Sequence, residues 1–253
     1  MLLLSLLLLP LVGAVLIAAW PGLGRVCAVR LAITWAIVPV AVVAAIGLQG
    51  GASWSLPWMP DANIHLAFKA DGTSWLFLLL TSLITLFSLA VSGKSDIGDR
   101  AYCALILVME SMLFGVFTAT HFVPWFLCWE MTLIPAYLLI RLWGGKGAPR
   151  AALRFFIVTL AGGVCMLLGF LALQLSVGTM DFAELSRLAA NHELAAGLAK
   201  SFSSTGLDGY SLLTVVAVAV FLGVAVKIPV VPFHAWLPDA YAEAPTPVTL
   251  LLT

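Results

Sequence analysis

Long apolar runs separated by short polar connections make up most of this chain. A transmembrane α-helix needs about 20 consecutive apolar residues to cross the hydrocarbon core of a bilayer. Seven runs approach or exceed this length, and none shows the alternation of apolar and polar residues that is typical of a membrane β-barrel strand. The pattern predicts an all-α polytopic membrane protein with seven transmembrane helices. The predicted spans are Leu2–Trp20, Leu31–Leu48, Trp75–Val91, Ala101–Thr120, Phe122–Leu142, Ala151–Leu175 and Ser211–Trp236.

The two ends of the chain carry apolar runs of their own. An eighth run begins near Pro245 and stops at Thr253, which is too short to cross a bilayer. We therefore interpret the chain as an N-terminal fragment of a longer protein, including the start of an eighth helix. The first run has no basic residue before its apolar core, and its first positive charge, Arg25, follows that core. A signal peptide has the opposite order, so we predict a retained first span.

Two connections are longer than the others. The segment Gln49–Ser74 is rich in turn-forming residues and predicts a hairpin. The second connection, Gly178–Tyr210, contains the segment Asp181–Lys200, whose apolar residues recur at helical spacing. We predict a short amphipathic helix at the membrane interface there. The spacing leaves open whether one continuous helix face carries all of these residues.

Composition supports a membrane protein and excludes several other classes. Hydrophobic residues make up 62% of the chain and charged residues 9%, against about 25% charged residues in an ordinary soluble domain. So few charges cannot cover the surface of a soluble enzyme, and they exclude a disordered tail. The 12 basic and 12 acidic residues provide no basic excess for binding nucleic acid.

The distribution of basic residues predicts the orientation in the membrane. The connections after the first, third and fifth spans, with the start of the sixth span, hold eight lysines and arginines. The connections after the second, fourth and sixth spans hold three, although they include the two longest loops. Basic residues accumulate on the cytoplasmic side, which predicts an external N-terminus. The eight are Arg25, Arg30, Lys94, Arg100, Arg141, Lys146, Arg150 and Arg154, and the three are Lys69, Arg187 and Lys200.

Three ionisable residues lie inside predicted spans, namely Glu110, Glu130 and Lys227. A charged side chain at the centre of a membrane helix costs about 2.5–3.5 kcal/mol on insertion scales. Residues that carry such a cost are candidates for ion or proton transfer. A purely structural role, with each group hydrogen-bonded to a neighbouring helix, is the alternative.

Prolines lie close to two of these residues. Pro135 follows Glu130, and its missing N–H leaves the carbonyl of Met131 without a helical partner. Pro229 and Pro232 follow Lys227 and predict a discontinuous seventh helix, with the carbonyls of Ala225 and Ile228 unpaired. Irregular backbone at this depth is tolerated where it is buried in protein or lines a water-filled cavity.

The chemistry of Glu130 and Lys227 suits proton transfer. Burial favours a neutral lysine, whereas a nearby carboxylate favours the charged form. The pair can therefore act as a switch whose state depends on helix position, and a static salt bridge is the alternative. His234 lies seven residues after Lys227, on the same face if the helix resumes without slippage. His234 is a candidate proton relay or an interfacial residue.

The sequence contains no recognisable cofactor or metal motif. Its four cysteines form no CxxC pair, and its four histidines lack metal-ligand spacing. The glycine-rich segments lack the spacing of dinucleotide- or phosphate-binding loops. We therefore expect no cofactor and no metal in this chain.

Two segments resemble a known family, the antiporter-like, proton-translocating subunits of respiratory complex I. Cys128–Ile140, followed by Leu142–Gly145, is similar to the fifth-span signature of that family. Val226–Ala240 resembles its broken seventh helix. Within the family, the chain looks most like chain 4, the M subunit, of NADH:quinone oxidoreductase. The resemblance extends over essentially the whole chain.

This resemblance implies a fourteen-helix subunit with two inverted five-helix repeats. Residues 1–100 would then form three leading transmembrane helices with an outer hairpin loop, and residues 101–253 a first repeat truncated in its last helix. Glu130 and Lys227 match the glutamate and lysine that pair in the family. Glu110 and His234 fall where the family has further polar residues of its proton path.

The resemblance also implies a function in a larger assembly. The chain would be a membrane-arm subunit that translocates protons, coupled to electron transfer from NADH to quinone in other subunits. NADH and quinone would be used by the whole complex. The implied partners are the other membrane-arm subunits and the lipid bilayer. The implied location is the bacterial inner (cytoplasmic) membrane.

Three alternatives remain open on the sequence. One is a subunit of a multicomponent Na⁺/H⁺ antiporter, which shares the same motifs. Another is a membrane subunit of a hydrogenase complex. The third is a scaffold in which the buried charges only hold helices together.

Overall fold

The computed structural model describes residues 1–93 and 98–252. Lys94 and Thr253, both used in the sequence analysis, lie outside the described residues. Within them, seven helical segments are long and apolar enough to cross a membrane, as predicted. The helices are α1 (Leu2–Ala19), α2 (Arg25–Leu48), α3 (Gly72–Ser92), α4 (Arg100–Thr118), α5 (Phe122–Met131), α6 (Leu133–Trp143), α7 (Ala148–Val177), α8 (Phe182–Ala190), α9 (Glu193–Ser201), α10 (Gly209–Lys227), α11 (Leu237–Glu243) and α12 (Thr246–Leu252). Helices α5 and α6 together form the fifth span.

Most span boundaries shift by a few residues from the sequence prediction, and three of them are informative. Helix α2 begins at Arg25 instead of Leu31, and α7 begins at Ala148 instead of Ala151. Hydropathy excludes terminal arginines from a span, but their long side chains can keep the charge in water while the backbone is helical. The seventh span ends as a continuous helix at Lys227, well before the predicted end at Trp236.

The connection between α2 and α3 is a β-hairpin, which confirms the predicted turn-rich hairpin. Strands β1 (Ala52–Met59) and β2 (Ile64–Ala70) pair antiparallel. The rings of Trp54 and Phe68 stack across the two strands with their centroids 6.1 Å apart. The hairpin is joined to the α4–α5 connection because the backbone N–H of Thr120 donates to the carbonyl of Ala67 at 2.9 Å.

The connection between α7 and α10 contains two short helices, α8 and α9, where the sequence left a single helix face uncertain. The chain changes direction at His192, whose φ of 61° ends any continuous helix. Both helices turn their leucines into one cluster with α7 and α10. The buried leucines of this cluster are Leu173, Leu185, Leu188, Leu194, Leu198 and Leu212.

Helix α4 occupies the centre of the molecule. It packs against α1, α2, α3, α5 and α6. Of its most apolar stretch, 61% is buried inside the structure, the largest share among the seven spans. Ser111 Oγ donates to the carbonyl of Leu7 at 2.6 Å and so links α4 to α1. The second large packing surface joins α7 to α10. Glu130, on α5 of the first unit, and Lys227, at the end of α10 in the second, therefore lie where the two packed units meet.

Candidate functional site

The fifth span is interrupted one turn before its proline. Helix α5 ends at Met131 and α6 begins at Leu133, with a turn at Thr132 between them. Pro135 lacks an N–H, so the backbone around it cannot complete the regular hydrogen-bond ladder. At the turn, Thr132 Oγ1 donates to the carbonyl of Trp129 at 2.7 Å. A backbone carbonyl and a hydroxyl are thereby brought together beside Glu130.

The seventh span is discontinuous, as predicted, but its carbonyls are used differently. The sequence predicted an unpaired carbonyl at Ala225, and this was wrong: it accepts a hydrogen bond from the N–H of Val230 at 2.8 Å. The bond spans five residues, one more than in an α-helix, because the turn widens past Pro229, which has no N–H to donate to Ala225. The indole N–H of Trp236 donates to the carbonyl of Val226 at 2.8 Å. The segment after the break thus folds back on the end of α10.

Lys227 is the last residue of α10 and joins the two interrupted spans. Its Nζ donates to the carbonyl of Trp129 at 2.8 Å and lies 3.3 Å from Thr132 Oγ1. The same ammonium lies 4.4 Å from the centre of the Trp129 ring, which adds a cation–π contact. The carbonyl exposed by the break in the fifth span is therefore a ligand for the lysine at the break in the seventh.

Glu130 lies beside this lysine without bonding to it. The two side chains are within electrostatic reach of each other. Both carboxyl oxygens of Glu130 are buried, and neither has a hydrogen-bond partner among the described residues. The carboxyl group points at α7, where a Cβ built on Gly163 would lie 2.3 Å from Glu130 Oε1. The structure thus brings the predicted pair together but leaves the carboxyl and the ammonium apart.

The two other predicted residues lie elsewhere. Glu110 is fully buried in α4, and its carboxyl has no hydrogen-bond partner within the part of the chain that the structure describes. His234 lies in a 3₁₀ helix, Phe233–Trp236, and is exposed. The α-helix does not resume between Lys227 and this segment, so seven-residue spacing no longer puts His234 on the lysine's face.

Three residues of the site were not assigned a role from the sequence. Trp129 and Thr132 bind Lys227, and Gly163 makes room for the carboxyl of Glu130. Trp129 and Thr132 belong to the segment with family resemblance. Their position just before Pro135 could have indicated that they lie at the interruption of the fifth span. The Gly162–Gly163 pair in the middle of a span was the only signal for Gly163, and glycine pairs in membrane helices usually indicate close helix packing.

The acidic residues after the break form contacts that hold this segment in place. Asp239 accepts a hydrogen bond from Arg154 Nη1 at 2.7 Å. Glu243 Oε2 accepts one from the N–H of Gly147, and the carbonyl of Glu243 accepts one from the N–H of Gly145, both at 2.9 Å. The segment that follows Lys227 is therefore attached to the connection before α7 and to α7 itself.

Interrupted membrane helices that carry ionisable groups at the break are typical of ion-translocating membrane proteins. The structure has both features, two interrupted spans and ionisable residues at the breaks. The chain belongs to the NADH:quinone oxidoreductase/Mrp antiporter transmembrane family, whose sequence model matches residues 119–253. This finding confirms the resemblance stated from the sequence motifs.

Individual relatives support the same assignment. The chain is 34% identical over 204 residues to the F(420)H(2) dehydrogenase subunit M of Methanosarcina mazei, a match that covers 78% of this chain and 38% of that relative. It is 35% identical over 198 residues to the NAD(P)H-quinone oxidoreductase chain 4 of Prochlorococcus marinus (strain AS9601), covering 78% of this chain and 34% of the relative. The chain therefore matches less than half the length of these curated relatives.

Solved structures have the same fold. A chain of respiratory complex I from Thermus thermophilus aligns with a TM-score of 0.76 and 28% identity, over 99% of this chain and 50% of that one. A chain of the Mrp complex from Dietzia sp. DQ12-45-1b aligns with a TM-score of 0.79 over 99% of this chain and 26% of that one. At 24% identity, the second likeness shows the fold alone.

Proposed function

We propose that this chain is part of a proton-translocating membrane-arm subunit of a multisubunit NADH:quinone oxidoreductase. The observation that carries the proposal is the contact between the two interrupted spans, in which Lys227 binds the carbonyl of Trp129 next to the unbonded carboxyl of Glu130. The family match and the similarity to the chain 4 and subunit M relatives support it.

In this proposal Glu130 and Lys227 are the proton-transfer pair. A carboxylate that approaches the ammonium of Lys227 stabilises its proton, and a carboxylate that moves away favours release of that proton. The Trp129 carbonyl and the Thr132 hydroxyl can hold the lysine while the carboxyl of Glu130 moves. Glu110 and His234 are proposed as further members of the proton path, and neither is required for this step.

The rest of the activity belongs to other subunits of the proposed complex. NADH and quinone would react there, and this chain would supply no redox centre. The proposed partners are neighbouring membrane-arm subunits and the lipid bilayer. The proposed location is the bacterial inner membrane, with the N-terminus outside, and the excess of basic residues in the odd-numbered connections supports this orientation.

Removing the ammonium tests the proposal directly. We expect Lys227→Ala in the full-length protein to abolish most proton translocation while the complex still assembles. The measurement is the number of protons moved per electron in membrane vesicles, with assembly checked by native gel electrophoresis. Lys200→Ala is the matched control, because Lys200 is exposed on α9, in the connection between α7 and α10. A normal proton-to-electron ratio in the Lys227 variant would refute the proposal.

A Na⁺/H⁺ antiporter subunit is the second candidate. The family description includes Mrp antiporters, and the fold aligns with a chain of an Mrp complex. Deletion of the full-length gene separates the two candidates. Loss of growth at high sodium with unchanged NADH oxidation favours the antiporter, whereas loss of NADH:quinone activity favours the oxidoreductase.

A further inference from the structure

A second buried polar site lies between α3 and α4, away from the Lys227 contact. Two contacts fix how these antiparallel helices are aligned. The rings of Phe77 and Phe117 stack with their centroids 4.9 Å apart. The hydroxyls of Ser92 and Tyr102 lie 3.2 Å apart, within hydrogen-bond distance, and Tyr102 is the donor because the Ser92 hydrogen is used on the carbonyl of Ser88. One contact lies near each end of the helix pair. Together they determine which residues of α3 and α4 lie at the same height along the two helix axes, called the same level below.

Thr85 and Glu110 lie midway between these contacts. On α3, Thr85 is eight residues after Phe77 and seven before Ser92. On α4, Glu110 is eight residues after Tyr102 and seven before Phe117. Residues seven or eight apart share one face of an α-helix. Thr85 and Glu110 therefore lie at the same level on the two facing sides of α3 and α4.

Three polar atoms at this level are unpaired. Thr85 Oγ1, Glu110 Oε1 and Glu110 Oε2 are each buried and have no hydrogen-bond partner among residues 1–93 and 98–252. Both side chains are fully shielded from solvent. Burying a carboxyl and a hydroxyl without partners is costly, and native proteins normally supply a partner or an ordered water.

The neighbouring hydroxyls of α3 show that Thr85 is an exception. Each of them already donates to a carbonyl, either within α3 or on Pro247 of α12. These buried hydroxyls belong to Thr81, Ser82, Ser88 and Ser92. Each of these buried hydroxyls of α3 therefore has a hydrogen-bond acceptor, and the Thr85 hydroxyl, at the level of Glu110, does not.

An open space lies next to this level. A cavity of about 270 Å³ between α3, α4 and α12 is lined by Thr81, Ile84 and Leu113, among others. Thr81 is four residues from Thr85, and Leu113 is three residues from Glu110, so the cavity lies about one helical turn away. The two helices do not close tightly beside the unpaired atoms.

We infer that Thr85 and Glu110 together bind an ordered water molecule in the α3–α4 interface. A buried water needs two to four polar partners, and the three unpaired atoms meet that requirement. The water supplies a donor to the carboxyl of Glu110 and accepts from or donates to the Thr85 hydroxyl. This binding does not depend on the proposed function. A role for this water as the group through which Glu110 exchanges its proton rests on that function.

Thr85→Val tests the water site, because valine keeps the shape of threonine and removes the hydroxyl. Thr81→Val is the matched control on the same buried face, where the hydroxyl already donates to the carbonyl of Phe77 at 2.8 Å. In a water-resolving cryo-EM map of the assembled complex, we expect density within hydrogen-bond distance of both Thr85 and Glu110. The density should persist in Thr81→Val and disappear in Thr85→Val.

Infrared spectra provide a second measurement that does not depend on proton pumping. Glu110→Gln identifies the carboxyl band of Glu110. We expect Thr85→Val to shift that band and to slow its hydrogen–deuterium exchange about tenfold, the effect of losing about one hydrogen bond, whereas Thr81→Val changes neither. A map in which Thr85 and Glu110 contact each other without water overturns the inference. So does a band that both valine variants leave unchanged.

Discussion

At the scale of single residues, the position of the Glu130 carboxyl depends on a residue that has no side chain. Gly163 lies in the middle of α7, and any Cβ there would overlap the carboxyl of Glu130. Its neighbour Gly162 faces Val226 of α10 in the same way, with a built Cβ 2.8 Å from the Val226 Cβ. The two glycines let α7 approach both partners of the site, so they set where Glu130 rests relative to Lys227.

Gly163→Ala is expected to displace the carboxyl of Glu130 and to reduce proton translocation strongly. The conflict is with the flexible end of the glutamate, so we expect a small change in the free energy of unfolding, about 1 kcal/mol. Proton-to-electron ratios and detergent unfolding curves measure the two effects. Gly72→Ala is the control, since a Cβ there meets nothing within 4 Å. Equal pumping in both variants would contradict this role of Gly163.

At the scale of elements, helix α5 is capped by a buried histidine. His121 Nδ1 accepts a hydrogen bond from the N–H of Val123 at 3.2 Å. Burial lowers the pKa of His121 below its ordinary value of 6.5, while Asp181 raises it and His65 lowers it further. The centroid of the His65 ring lies 6.4 Å from that of His121. Because Nδ1 accepts the hydrogen bond of the cap, it must be unprotonated, so the cap needs the neutral form of His121.

This cap predicts a loss of stability at acid pH. A base whose folded pKa is lowered binds fewer protons when folded, so its contribution to stability is present above pH 6.5 and is lost as the pH falls towards the folded pKa. We expect lower protection from amide exchange at the start of α5 below pH 6.5, measured relative to the intrinsic exchange rate at each pH. His121→Asn keeps an N-cap acceptor but does not titrate, so this pH dependence of the protection should disappear.

The control for this experiment is His192→Asn. His192 is an exposed histidine whose positive φ asparagine tolerates. The protection from amide exchange at the start of α5 should keep its pH dependence in this variant. A pH dependence of the protection that is unchanged in His121→Asn would contradict this role of His121.

At the scale of the whole molecule, the segment after the seventh-span break is attached to α10, to α7 and to the connection before α7. Trp236 is buried against Phe155 of α7, with ring centroids 5.1 Å apart, and bonds to the carbonyl of Val226. Glu243 binds the connection before α7. The break beside Lys227 is therefore held from both sides, which limits the movement of the lysine relative to α7.

Trp236→Phe should loosen this segment. Phenylalanine keeps an aromatic ring against Phe155 but leaves the carbonyl of Val226 without its donor, and we expect a loss of about 1–3 kcal/mol of stability. Asp239→Asn is the comparison: its ion pair with Arg154 is about half exposed, so its loss should cost less than about 1 kcal/mol. Detergent unfolding curves measure both. A larger loss in the Asp239 variant would reverse this ranking.

Local signals in the sequence were enough to predict several elements. The seven spans follow from apolar length alone, because backbone hydrogen bonds in a bilayer must be satisfied within each helix. The hairpin follows from the turn residues between Gln49 and Ser74. The break after Lys227 follows from Pro229 and Pro232, which cannot donate to the helical ladder. All of these depend on residues close together in the chain.

Contacts between distant residues could not be read from the same signals. Which carbonyl binds Lys227 depends on the packing between the two interrupted spans, and it is that of Trp129, which the proline pattern did not single out. The carbonyl of Ala225 is paired because the turn widens past Pro229 and brings the N–H of Val230 to it, a geometry that ideal helix spacing does not contain. His234 leaves the face of Lys227 for the same reason.

The sequence by itself therefore determined the spans, the two interruptions and the ionisable residues that carry the chemistry, because each depends on local hydropathy or on proline's missing N–H. Only the tertiary structure decided how these residues meet. It separated the carboxyl of Glu130 from the ammonium of Lys227 and gave the lysine a backbone carbonyl. It also put Glu110 opposite Thr85. The physical reason is that helix packing brings together groups far apart in the chain, and local preferences do not specify those distances.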